Sequence, residues 1–352
     1  MRRRQAMLYA GMDVHKEFCQ GIVLTKDGEV EREGRFGTEK EDIERFFEGL
    51  EGVRVAYEAS GNYEYFYEVL SGLGHEVKLA HPLKTRLIAE AKVKTDKIDA
   101  RALADLLRAD LLPTSYVPPE DIRELRHLVR RRIHLGRHRA RLKNQIYAEL
   151  RRKNLKYPGT EMFTKKGLAW LHGLRMAEID SYLVVYDAVV GQLSLAEREI
   201  EREGMKLKEV RLLVTVPGIG PYSATIIHSE IGDIWRFGSE EKLFSHAGLV
   251  PSVYQSGESC HRGRLTGGGS KLLRWILVEV VQTHMRYAPD SKVTLFYERM
   301  RKKKPGNVAK IAAARKLLQA IYHMLRDGKE FRQGQPHRPR GEACGVSPPV
   351  DD

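Results

Sequence analysis

Met7-Leu8-Tyr9-Ala10-Gly11-Met12-Asp13-Val14-His15-Lys16 opens on a short apolar run, residues 7–14, that carries a carboxylate near its end. Such a run bounded by polar residues suggests a strand. Working outward, residues 19–24 and 29–36 flank Asp27-Gly28, a pair that closes hairpins, so three strands follow one another. Glu39 to Leu50 is amphipathic and predicts a helix, Val53-Arg54-Val55-Ala56-Tyr57-Glu58 a strand, Tyr63 to Leu73 a helix and Glu76 to Ala80 a fifth strand. Leu83 to Leu112 reads as helical and stops at Pro113. The alternation predicts an α/β domain over residues 1–118, a mixed sheet with helices packed on it.

Beyond it the pattern becomes helical. Arg123 to Lys153 is long, arginine-rich and interrupted only by Gly136, and Ala177 to Arg202 has few turn residues, so residues 119–205 suit a helical hairpin or coiled coil. The arginines serve equally well as a solvated helix face or as nucleic-acid contacts. In Val216-Pro217-Gly218-Ile219-Gly220-Pro221, Gly218 and Gly220 let backbone N–H groups approach a phosphate at a helix start, similar to the hairpin of helix-hairpin-helix DNA binders. Helical stretches at Lys271 to Met285 and Val308 to Leu325 complete a mainly α region over 206–331, and 332–352, rich in Pro, Gly and Arg, is expected to be disordered.

Lysine and arginine total 60 against 47 acidic residues in 352, a net charge of +13 that favours a polyanionic partner, nucleic acid before a membrane surface. No signal peptide or membrane-length apolar run is present. Cys19, Cys260 and Cys344 have neither zinc nor disulfide spacing, which fits a reduced cytoplasm. His134 and His138 lack a third ligand, and Gly267-Gly268-Gly269-Ser270-Lys271 lacks the spacing of a nucleotide loop.

Asp13 and Glu58 end two strands, where burial without a cation or donor is costly. Parallel neighbours would bring them to one sheet edge. Asp96 and Asp99, in Lys94-Thr95-Asp96-Lys97-Ile98-Asp99-Ala100-Arg101, are spaced i, i+3 on one face at a helix start. Four oxygen donors without His or Cys suit Mg²⁺ or Mn²⁺, and two such ions suit phosphodiester chemistry. The plainer alternative makes Asp96 an N-cap, Asp99 a first-turn acid, and Asp13 and Glu58 exposed strand ends.

Gly11-Met12-Asp13-Val14-His15-Lys16, Tyr57-Glu58-Ala59-Ser60-Gly61-Asn62-Tyr63, the Asp96/Asp99 segment, Pro217-Gly218-Ile219-Gly220 and Phe244-Ser245-His246-Ala247-Gly248-Leu249-Val250-Pro251 occur in that order. Together they resemble the insertion-sequence transposases with an Asp-Glu-Asp-Asp RuvC-like domain, insertion sequence family one hundred and ten. The resemblance implies a RuvC-like, ribonuclease-H-type first domain, a C-terminal transposase domain, and a catalytic serine there that holds DNA as a phosphoserine. The matching segment is Tyr254-Gln255-Ser256-Gly257, which makes Ser256 the candidate nucleophile. Ser259 and Ser270 compete, and Ser270 reads better as an N-cap. Candidate nucleic-acid contacts are Lys94 and Arg101, Gly218 and Gly220, and Arg262, Arg264 and Lys271. Leu265-Thr266-Gly267-Gly268-Gly269 departs from the usual family pattern of a Ser-Lys-x-Gly type. The resemblance further implies donor and target DNA, a noncoding guide (bridge) RNA, and a homo-oligomer, dimer or tetramer, in which Ser256 of one subunit meets the carboxylates of another. A hydrolytic metal nuclease or junction resolvase, and a non-catalytic nucleic-acid scaffold, are the alternatives.

Overall fold

The computed structural model describes residues 7–59, 61–88, 95–256 and 259–332, without the side chains at 253–262 and 264. Two units divide the chain, Met1–Val117 and Pro118–Asp352. In the first, β1 (Tyr9–Val14), β2 (Phe18–Leu24) and β3 (Val30–Gly37) form an antiparallel meander. Then come α1 (Lys40–Phe47), β4 (Arg54–Glu58), α2 (Tyr63–Gly72), β5 (Glu76–Ala80), α3 (Pro82–Ile88) and α4 (Asp96–Arg108). The sheet order is β3-β2-β1-β4-β5, with β4 parallel to both β1 and β5. This is a mixed α/β unit with helices on both faces.

Side-chain alternation divides the core. Ala10, Met12, Val55 and Tyr57 pack with Ile43, Phe46 and Phe47 of α1 and Phe66 and Leu70 of α2. On the other face, Tyr9 and Ala56 pack with Leu103 and Leu107 of α4, and Ile22 and Leu24 with its Ala100 and Ala104. Gly11 makes that second contact possible, because a Cβ there would overlap the Ala100 carbonyl oxygen. The helical stretch expected over 83–112 holds α3 and α4, and α4 begins at Asp96, where the Asp96/Asp99 spacing placed a helix start. Thr95 is the local cause of the second start, since its side chain accepts a hydrogen bond from Ile98 N–H at 3.3 Å and caps α4.

The second unit is mostly helical. It runs α5 (Glu120–Arg152), α6 (Lys165–Gly173), α7 (Ala177–Gly204), α8 (Lys208–Val214), α9 (Pro221–Ile231) and α10 (Glu240–His246). A hairpin of β6 (Pro251–Ser256) and β7 (Ser259–Leu265) precedes α11 (Lys271–Tyr287), α12 (Lys292–Arg301) and α13 (Gly306–Asp327). α5 and α7 lie antiparallel, clasped by Arg131–Glu199 and Arg132–Glu197 toward one end and by Arg152–Glu178 at 3.2 Å toward the other. Apolar residues of α8, α9, α11 and α13 form the main core, which Val129 of α5 and Ile200 of α7 join. A second core of Ile146, Leu150, Leu171, Ile179 and Leu183 closes the far end of the α5/α7 pair. The mainly α expectation for 206–331 omitted the β6/β7 hairpin, whose strands are polar and carry Gly263 within them. Among the described residues, no helix is long and apolar enough to cross a membrane.

Candidate functional site

Strand parity places Asp13. Gly11 faces α4, so Asp13, two residues on, faces the same side at the end of β1. β4 runs parallel to β1 with Met12 opposite Tyr57, which brings Glu58 to the same sheet edge. Glu58 is two residues after Ala56, which packs on α4, and therefore shares that face. The Thr95 cap sets Asp96 and Asp99 in the first turn of α4, where the helix dipole favours acids. Thr95 thus takes the cap position that the plainer alternative gave to Asp96.

His15 joins these groups. Its Nε2 lies 3.2 Å from Asp13 Oδ2 and 3.4 Å from Asp96 Oδ2. Ligand atoms of Asp13, His15 and Asp96 all lie within 4.8 Å of one another. Glu58 and Asp99 stand outside that closest group, although the charge of Asp99 reaches Asp13. The sequence expectation of an all-oxygen set passed over His15. The signal was there: residues two apart at a strand end share a face, as Asp13 and His15 do.

Burial pushes the Asp13 carboxyl above the ordinary carboxylate range; His15 pulls it back, while Asp96 and Asp99 push it further up. A half-buried carboxylate facing two others is relieved by positive charge, and the donors are two carboxylates and an imidazole. These residues fit a divalent cation. Beside them, on the same sheet face, a cavity of about 670 Å³ is lined by Phe18, Gln20, Arg35, Thr95, Asp96 and Lys97. The Arg35 guanidinium stacks 3.4 Å from the Phe18 ring centre, and Lys97 Nζ lies 2.8 Å from Glu33 Oε1.

The remaining candidates are scattered. Arg101 is exposed on α4 and donates to the Gly28 carbonyl at 3.4 Å, and Lys94 lies outside the described residues. Gly218 has φ +88°, and a Cβ there would come 2.6 Å from His284 N, so the close approach of this turn to α11 requires glycine. Thr283 Oγ1 donates to the Gly218 carbonyl at 3.0 Å, and His284 Nδ1 lies 2.7 Å from the Pro217 carbonyl. Gly220 precedes α9 as its N-cap. Ser256 ends β6 with its backbone opposite Ser259, at the closed end of the hairpin. Its side chain, like those of Arg262 and Arg264, lies outside the described residues. Ser270 caps α11 by accepting from Leu273 N–H at 3.0 Å, and its hydroxyl donates to Glu230 Oε2 at 2.7 Å. Lys271 follows it, exposed, as the first residue of α11.

Comparison with known proteins agrees along the chain. Residues 10–154 match the family model of the IS110 transposases with an Asp-Glu-Asp-Asp site, and residues 210–297 match the model described as transposase IS116/IS110/IS902 family. The chain is 28% identical over 288 residues to the y4qE protein of Sinorhizobium fredii, provisionally named a transposase, covering 80% of this chain and 72% of that one. It is 25% identical over 291 residues to the transposase for insertion sequence element IS1328 of Yersinia enterocolitica, covering 79% and 85%. It is 22% identical over 293 residues to the transposase for insertion sequence element IS1111A of Coxiella burnetii, covering 80% and 79%. Two family segments in order on one chain, and relatives aligned over about four fifths of it, show that the chain belongs to the IS110/IS116/IS902 family of transposases.

Proposed function

We propose that this transposase cuts and rejoins DNA through a phosphoserine at Ser256, assisted by a divalent cation at Asp13, Glu58, Asp96 and Asp99. The observation that carries it is the convergence of two adjacent parallel strand ends with the first turn of α4 on one sheet face. The order β3-β2-β1-β4-β5 supports a RuvC-like reading of residues 1–118. The antiparallel α5/α7 pair supports a coiled-coil reading of 119–205, and 206–331 is then the transposase domain.

Ser256 Oγ forms a bond to phosphorus as the bond from phosphorus to one sugar oxygen breaks, and the serine proton is balanced by protonation of that leaving oxygen. Rejoining reverses both changes, so the bond energy is kept in the protein–DNA link rather than lost to water. Mg²⁺ or Mn²⁺ at the carboxylates would neutralise phosphate charge. Asp13 and Asp96 hold their oxygens toward one point, with His15 between them. Guidance by a noncoding RNA suits the basic surface, since base pairing leaves the protein mainly backbone and shape to recognise. Assembly as a homo-oligomer in the cytoplasm completes the proposal.

A suicide DNA substrate incubated with the protein and its guide RNA tests the serine: a covalent protein–DNA adduct should form and vanish in Ser256→Ala. A hydrolytic reading is favoured by one observation, that the carboxylates gather within the N-terminal unit alone. Strand cleavage persisting undiminished in Ser256→Ala would establish that reading and sink ours.

A further inference from the structure

The C-terminal unit holds a cleft of about 610 Å³ between α5 and the starts of α9 and α11. One wall is α5, which presents Arg130, Arg132, Arg137 and Arg139. The other is the start of α9, with Tyr222, and the start of α11, with Lys271 and Trp275. Among the described residues, no carboxylate lines it. Gly136 lies on the α5 wall and leaves room that a larger residue would fill.

The cations fall into two groups. Arg132 is committed to Glu197 and to the Tyr222 ring, 4.4 Å from its guanidinium, and Arg130 lies 3.6 Å from Glu230. Arg137 and Lys271 are exposed, and among the described residues neither is paired with an acid. α9 and α11 both bring their positive ends to the cleft, and neither has an acid in its first turn. This field asks for an anion. Trp275 narrows the choice, because its indole is 44% exposed on a wall that also carries Tyr222, Ile133 and Leu272, so the cleft offers an apolar surface beside its cations. A small anion would leave the indole wet. Duplex DNA offers phosphates, but its bases face one another inside the helix. A single strand offers both phosphates and free base faces.

We propose that this cleft holds one single nucleic-acid strand, with phosphates on Arg137, Lys271 and the two helix starts and an unstacked base against Trp275. The assignment rests on the transposase reading only in that the chain handles nucleic acid; it needs neither Ser256 nor the metal. In a transposase such a strand is guide RNA outside its duplexes or DNA opened during exchange.

The test is fluorescence anisotropy of the full-length protein with labelled 12-nucleotide strands, ribose and deoxyribose, and a hairpin duplex of the same composition. Trp275→Ala should weaken single-strand binding about tenfold, as loss of one stacked base does. Duplex binding should stay unchanged, and Trp275→Phe should restore the single strand. Arg137→Ala and Lys271→Ala should each lower the salt slope of single-strand binding by about 0.7. Binding of either sugar supports the proposal, and the tighter one names the source. Single-strand binding unchanged in Trp275→Ala, or lost equally with the duplex, would overturn it. The binding readout uses no cleavage or rejoining step, so a failed adduct experiment with Ser256→Ala leaves this result standing.

Discussion

Gly11 is the residue on which the carboxylates depend without contributing one. It lets α4 lie directly on β1, and the same contact brings Asp96 toward Asp13. Gly11→Ala should cost about 1–3 kcal/mol, the range for overpacking a core, and depress transposition more than the stability loss alone explains. Urea denaturation read beside an excision assay checks both. Asp13→Asn should behave in the opposite sense, since it removes one of three clustered negative charges. Metal-free Asp13→Asn protein is expected to melt no lower than wild type, while the stabilisation that wild type gains from millimolar Mn²⁺ should disappear. His15→Ala should weaken Mn²⁺ binding more than Mg²⁺ binding, because imidazole suits the transition metal better than the hard alkaline-earth ion. Electron paramagnetic resonance of Mn²⁺ with Mg²⁺ as competitor measures that ratio, and an unchanged ratio removes His15 from the ligand set.

Among the elements, the sheet was the most legible in the sequence. Apart from β3, which carries Glu31, Arg32, Glu33 and Arg35, its strands are largely apolar and separated by recognisable turns, and Asp27-Gly28 marks one of them. The start of α4 was legible in the Asp96/Asp99 spacing, although the capping residue is Thr95 rather than Asp96. The β6/β7 hairpin was illegible: its strands have little apolar alternation, and their pairing depends on the unit around them. The carboxylate pair of Asp13 and Glu58 could be read as two strand ends, but their adjacency depends on sheet order, which no local pattern encodes. Two serines separate by element as well. Ser270 caps α11 and satisfies buried Glu230, so Ser270→Ala should cost about 1–3 kcal/mol by leaving both without that partner. Ser256→Ala, at the end of the β6/β7 hairpin, should leave thermal stability within about 0.5 kcal/mol of wild type. Melting curves of the two variants provide the comparison.

On the scale of the whole molecule, acid should weaken the C-terminal unit through three histidines, and the first unit through His75. Burial lowers the affinity of His228, His246 and His284 for a proton, and Arg236 adds to the effect at His246. An imidazole kept neutral by the fold is protonated more readily in the unfolded chain. The stability of the C-terminal unit is therefore complete above the ordinary histidine value of 6.5 and falls as the pH drops below it. Hydrogen exchange at pH 7.5 and 5.5 should show the loss in α9, α10 and α11, with a smaller change in His284→Gln. Mixing Asp13→Ala and Ser256→Ala proteins asks whether the two catalytic elements are shared between subunits, and recovered recombination would establish that they are. The parity of β1 has one further consequence. Asp13 faces α4 only because an even step separates it from Gly11, so the site is sensitive to chain length as well as to residue type. One codon inserted between them would turn the carboxylate to the α1/α2 side, whereas an insertion at Asp27-Gly28 leaves the parity of the strands unchanged and disturbs only the contacts of that turn with Arg101 and Arg108. Drift by insertion and deletion is thus better tolerated in that loop than within the strand, whose reading length stays fixed.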